Sequence, residues 1–123
     1  MHILDFNKLS LRDINKTLQE SDKNNFFSIR NPKGSHALAV GINKKITVKV
    51  VGSVGYYCAG MNKFSDIKVE GSAGPGLGEN MMSGNIYVTG DVSQYAGASG
   101  HGGSILVGGN ASSRCGISMK GVD

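Results

Sequence analysis

The chain has 123 residues, enough for one domain with a core of its own. Glycine supplies 19 of them, roughly twice ordinary usage, with aromatics at 7% and no tryptophan; a helical bundle is excluded, and 39% hydrophobic residues exclude a disordered chain. The net charge of +4 is mild, and no basic run alternates with stacking aromatics, so no nucleic-acid partner is expected.

From the N-terminus, "LSLRDINKTLQES" predicts a helix over residues 10–20. Ser10 is its N-cap, Asp13 a capping-box variant, and Leu11, Ile14 and Leu18 form its apolar face. "FFSIR" (26–30) predicts a strand, "NPKG" (31–34) a type I turn, and "ALAVGI" (37–42) a second apolar strand. These first 46 residues carry no visible repeat.

From residue 47 the chain repeats. Three lines of nineteen residues fall into step at 66–84, 85–103 and 104–122, and a weaker fourth occupies 47–65. Ile67, Ile86 and Ile105 share a column, as do Val69, Val88 and Val107; Ala73, Val92 and Ala111 form a small apolar column. The repeat glycines are Gly52, Gly71, Gly90 and Gly109, then Gly78, Gly97 and Gly116, with Gly84 and Gly103 at the line ends. The fourth line keeps Val48, Val50 and Val54 in register but has Ala59 in the column of Gly78.

Each line opens on a pentad that alternates every second residue, the period of a strand with one apolar face. Such a strand cannot bury its face alone, so like units must stack. A unit this short does not hold a strand, a helix and two loops. It fits one coil of a parallel β-helix, with rungs ~4.8 Å apart and right-handed crossovers. The expected fold is therefore all-β: a right-handed parallel β-helix of ~19-residue rungs. Residues 1–46 are expected to cover one end, and 47–123 to form four repeats ending before a C-terminal cap. A bare last rung would be a template for end-to-end pairing, hence for a homo-oligomer.

Catalytic signals are sparse. "EGSAGPGLGEN" has the look of a dinucleotide loop, but a strand follows it where a nucleotide fold needs a helix. Cys58 and Cys115 share a column three rungs apart, roughly 14 Å at ~4.8 Å per rung, beyond disulfide reach; both are expected to face inward. No CxxC is present, so an iron–sulfur cluster would belong to a partner. His101 stands at a corner in the column of Met82 and Lys120, His36 follows the "NPKG" turn, and His2 is terminal; none has a second ligand at a predictable position. Glu79, Asp91 and His101 remain the set to which a groove-binding enzyme would point. No catalytic, cofactor-binding or metal-binding residue is assigned.

The segment "EGSAGPGLGENMMSGNIYVTGDVSQYAGASGHGGSILVGGNA" resembles the glycine-repeat (GXGXG) domain at the C-terminus of glutamate synthase large subunits. The likeness lies in G-x-A-G at 71–74, G-D-x-x-x-Y-x-G at 90–97 and G-G-x-I-x-V at 102–107. "VGYYCAGMN", "GENMMSG" and "RCGISMKG" are similar to stand-alone versions of the domain, which are subunits of methylglutamate synthase-type and archaeal glutamate synthase-type enzymes. One of the subunits of formylmethanofuran dehydrogenase shares the repeat. The resemblance spans roughly residues 31–123 and implies the same β-helix. It further implies a non-catalytic scaffold between a glutamine amidotransferase part, which frees ammonia, and a flavin-dependent synthase part, which makes glutamate from 2-oxoglutarate. FMN and an iron–sulfur cluster are then expected in partner subunits and not in this chain, which ends after about four rungs where stand-alone relatives continue. Three readings stay open: that scaffold, an enzyme or binding module with a groove for a sugar or nucleotide, and a member of a formylmethanofuran dehydrogenase-type complex. Two cysteines, no secretory leader and no apolar run near the ~18 residues of a membrane span lead to the expectation of a cytoplasmic chain without membrane contact.

Overall fold

The structure is a computed structural model and describes residues 2–92 and 102–109. Six short strands, all parallel, lie in one sheet in chain order: β1 (His2–Asp5), β2 (Phe26–Arg30), β3 (Thr47–Val51), β4 (Asp66–Glu70), β5 (Asn85–Val88) and β6 (Ser104–Val107). One helix, α1 (Leu11–Glu20), lies between β1 and β2. Each strand pairs with the next after one circuit of the chain, which is a right-handed parallel β-helix.

The register explains which repeats are visible in the sequence. Thr47 pairs with Asp66, Asp66 with Asn85 and Asn85 with Ser104, all nineteen apart. Earlier coils are longer: Phe26 pairs with Thr47 after 21 residues, and His2 with Phe27 after 25. Residue 46 thus marks a change in coil length and not an edge of the sheet. β1, which carries no repeat signal, is an added strand of the same ladder.

Two inward ladders fill the coil. Phe27, Val48, Ile67 and Ile86 form one, and Leu4, Ile29, Val50, Val69 and Val88 the other; Ile105 and Val107 pack against their ends. Val54, Ala73 and Val92 make a third column, joined by isolated parallel bridges. Burying a Val or Ile stabilises by ~1.5–3 kcal/mol, so the ladders supply most of the driving force for stacking.

The helix forms as its sequence dictates. The Asp13 N–H donates to Ser10 Oγ at 3.1 Å, the N-cap bond. Ile14 and Leu18 are fully buried in the shared core. Asn15 clasps the second coil: its Nδ2 donates to the Ala37 carbonyl at 2.9 Å, and its Oδ1 accepts from the Ala39 N–H at 2.7 Å. Gln19 Nε2 donates to the Val40 carbonyl at 2.7 Å.

Two local expectations are corrected. Residues 37–42 form a turn and not a strand: Ala37, Ala39 and Gly41 have φ of 52°, 59° and 70°. The run is apolar because Leu38, Ala39 and Ile42 still point into the core. The same left-handed positions recur in the next coils, at Tyr57, Ala59 and Met61 and at Gly76, Gly78 and Asn80. The turn after β2 is not type I on 31–34. Ser35 N–H donates to the Pro32 carbonyl at 2.8 Å, with φ of 48° at Lys33 and 74° at Gly34, which is a type I′ arrangement.

The glycine column is a column of close approach. A Cβ on Gly71 would lie 2.7 Å from the Gly52 carbonyl carbon and oxygen; on Gly90 or Gly109 it would lie 2.6 Å from the carbonyl oxygen of the glycine one coil back. At the other corner a Cβ on Gly84 would meet the Ser65 carbonyl, and one on Gly103 the Gly84 carbonyl at 2.7 Å. Gly78 lies beneath the ends of Ile86 and Ile105, and Gly52 against Pro32. Gly97 and Gly116 lie outside the described residues.

Candidate functional site

The chemistry-bearing residues do not converge. Asp91 belongs to a polar corner ladder: Ser53 Oγ accepts from the Ser72 N–H, and Ser72 Oγ accepts from the Asp91 N–H. Glu79 stands at the far corner, seven residues further round the coil than Ser72, where its carbonyl accepts from the Met61 N–H at 2.7 Å. The structure therefore sets Glu79 and Asp91 in different columns, and His101 lies outside the described residues. Among the described residues no group of three His, Cys, Asp or Glu side chains is placed to hold a metal ion.

Cys58 faces inward as its column predicts, fully buried, and burial pushes its thiol up to about 12. Cys115 lies outside the described residues, as does Lys120. One protonated, buried thiol does not offer the thiolate set of an iron–sulfur cluster, so the described residues do not fit such a group. His36 has a structural partner: its Nδ1 accepts from the Tyr56 N–H at 3.0 Å, and the two rings lie 3.8 Å apart. Asp5 is held below the usual carboxylate range by hydrogen bonds from Asn31 Nδ2 and the Asn7 N–H.

What the coil offers outward includes several large apolar side chains. The left-handed backbone at Tyr57 and Met61 turns these side chains to solvent, and Phe64 and Met82 join them; Met61 and Phe64 are 53% and 52% exposed. Tyr57 lies over Gly76, where a Cβ would come within 2.6 Å of its ring. Lys63 Nζ stands 5.3 Å from the Phe64 ring centroid, and the Phe64 N–H donates to Ser83 Oγ one coil on.

Next to this ridge runs an open groove of about 580 Å³, lined by Lys23, Lys44, Lys45, Phe64, Asp66 and Asn85. Backbone bonds across coils fix its walls: the Asn24 N–H donates to the Lys45 carbonyl at 2.6 Å, and the Lys63 N–H to the Ile42 carbonyl at 2.9 Å. Asp66 Oδ1 accepts from Asn85 Nδ2 at 2.8 Å. Neither ridge nor groove is legible in the sequence. Lys23 and Lys45 meet only through the long second coil, and the exposure of Met61 depends on a left-handed φ that its residue type does not announce.

No family model matches the sequence. Over 62 residues the chain is 53% identical to Protein GlxC of Rhizobium meliloti (strain 1021), a stretch covering 48% of this chain and 27% of that protein. The match thus spans about a quarter of that relative's length. No solved structure matches. Among the described residues no helix is long and apolar enough to cross a membrane.

Proposed function

We propose that the chain is a structural part of a glutamate synthase-like oxidoreductase complex, where it holds an amidotransferase part and a flavin-dependent synthase part in fixed relation. The observation that carries the reading is the stack itself. Six strands form one parallel ladder, and its nineteen-residue glycine columns are those that carry the resemblance to the glutamate synthase repeat domain. The glycine, valine and isoleucine columns are committed to coil-on-coil contact, which leaves the outer corners to meet other proteins.

On this reading FMN and the iron–sulfur cluster sit in partner subunits. This chain's residues would supply a stiff base with an apolar ridge at Tyr57, Met61, Phe64 and Met82. A fixed spacing between the parts would let ammonia pass between them without loss to solvent. The test is co-purification of the full-length protein from its own cells, with the partners identified by mass spectrometry and the absorption spectrum of the complex recorded. An amidotransferase together with a flavin-containing synthase is the expected result. The reading is overturned if no such partners appear, or if the isolated chain holds stoichiometric flavin or hydrolyses glutamine unaided.

A further inference from the structure

We infer that the groove beside Phe64 is the docking site for an acidic segment of a partner protein. This inference rests on the scaffold reading and deepens it. Lys23, Lys44 and Lys45 converge on the groove from two neighbouring coils, with Lys63 on the adjoining ridge. Among the described residues the ion pair is Lys49–Glu70, at 3.0 Å on the sheet, and none of the groove lysines enters one. The one carboxylate in the wall, Asp66, is hydrogen-bonded to Asn85. Asp22, though next to Lys23 in sequence, lines a different groove with Glu20 and Ser21.

The lysines do not stand together for want of a fixed backbone. The bonds from the Asn24 N–H to the Lys45 carbonyl, from the Ile46 N–H to the Lys44 carbonyl and from the Thr47 N–H to the Asn25 carbonyl hold both loop segments of the wall. Three cationic side chains on one groove, none of them ion-paired, offer charge complementarity to a carboxylate-bearing partner. Phe64 at the rim gives the same partner an apolar contact beside the charges. The groove is wide and open, unlike the enclosed pockets that bury small ligands, which favours a polypeptide. A nucleic acid would meet the Asp66 carboxylate and finds one exposed aromatic here, not the series on which successive bases stack.

The test uses the full chain in its native complex, treated with a water-soluble carbodiimide that joins lysine amines to touching carboxylates as amides. Cross-links from Lys23, Lys44 or Lys45 to Asp or Glu of a partner subunit are expected. The triple variant Lys23→Glu, Lys44→Glu, Lys45→Glu should bind that partner at least about tenfold more weakly at low salt, with the difference shrinking as salt rises. The triple Lys→Gln variant, with circular dichroism as a check on folding, should fall in between. If the partners co-purify without such cross-links and bind the charge-reversed chain as well as the original, this inference fails while the scaffold reading stands. If no partner co-purifies, both fail. A short oligothymidine that binds the chain more tightly than a Glu/Leu peptide of equal charge also overturns it, and marks the groove as a nucleic-acid site.

Discussion

Replacing Gly71 by Ala isolates the physical role of the glycine column. The new Cβ would sit 2.7 Å from the carbonyl carbon and oxygen of Gly52 and 2.8 Å from the Ser53 nitrogen. Ordinary contact begins near 3.4–3.5 Å, so the two coils must part by roughly 0.7 Å. All three obstacles are backbone atoms, which cannot rotate away. The site lies between two coil-to-coil bonds, Gly52 N–H to the Glu70 carbonyl at 3.1 Å and Val54 N–H to the Ser72 carbonyl at 2.9 Å. An added shift of roughly 0.7 Å takes both past hydrogen-bonding distance, at about 1 kcal/mol each. With the strain of overpacking, about 2–3 kcal/mol is expected. Gly71 does not have a positive φ, so no conformational penalty is mixed in. Gly34 is the control: its φ is +74° with nothing within 4 Å of a Cβ, so Gly34→Ala should cost only the left-handed penalty of about 1 kcal/mol. Urea unfolding at constant m-value measures both. For a chain of this size, about 4 °C per kcal/mol translates the Gly71→Ala loss into about 8–12 °C in Tm. A Gly71→Ala variant no less stable than Gly34→Ala would refute the close-approach argument.

Met61 has φ 55° and an exposed side chain, so Met61→Gly should stabilise by about 1 kcal/mol and the β-branched Met61→Val should destabilise, read from urea midpoints. Asn15→Ala removes both bonds to the second coil and strands the buried Ala39 N–H; a loss of about 2–3 kcal/mol is expected, with Asn15→Leu no better, in the same assay. The Cys58 thiol keeps its proton in the folded chain up to about 12, against an ordinary value of 9.0. Below pH 9 the group therefore costs nothing, and above it the unfolded state loses the proton first. Stability should fall with rising pH by about 1.4 kcal/mol per unit between those values, and Cys58→Ala should flatten that slope relative to the parent. Asp5 works in the other direction: its lowered carboxyl favours the folded chain above its unfolded pKa, and the contribution is lost as pH falls through the folded one. Asn31→Ala should move the Asp5 titration upward in a carboxyl NMR experiment.

The later coils can be read from sequence because their geometry is strictly periodic. Ile67, Ile86 and Ile105 recur at nineteen residues and pair with one another in a constant register. The second coil obeys the same physics with two extra residues, so Phe27 and Ile29 fall out of step with Val48 and Val50 though they pair with them. The first coil holds α1 as well, which hides β1 altogether. The turn at 37–42 resembles a strand for a different reason. It is a short apolar run next to a turn signal, and its inward set of Leu38, Ala39 and Ile42 does not alternate as a strand's would. Ala39 and Ala59 adopt φ of 59° and 58° where Gly78 has 65°, a conformation that residue preference argues against and that stacking between coils imposes. The lysine groove is hidden by the change in coil length: without the 21-residue offset of Phe26 and Thr47, Lys23 and Lys45 are unrelated positions.

The interior and the groove differ in how completely their demands are met. Among the described residues no buried side-chain nitrogen or oxygen lacks a hydrogen-bond partner. The fully buried Asn62 shows how this is done: its Nδ2 donates to the Ser65 carbonyl at 3.1 Å, its Oδ1 accepts from Ser65 Oγ, and its own carbonyl accepts from the Met82 N–H. Serine ladders close the corners, and apolar columns close the core. Against that background, three lysines line one groove and none of them enters an ion pair, so their charge is left for something outside the coil to meet. The coil has carboxylates to spare for pairing, as Lys49–Glu70 demonstrates on the sheet face. Local rules tend to be broken where function requires it. On the docking proposal, a partner's carboxylates would meet these lysines and so tie the stiff stack into an assembly.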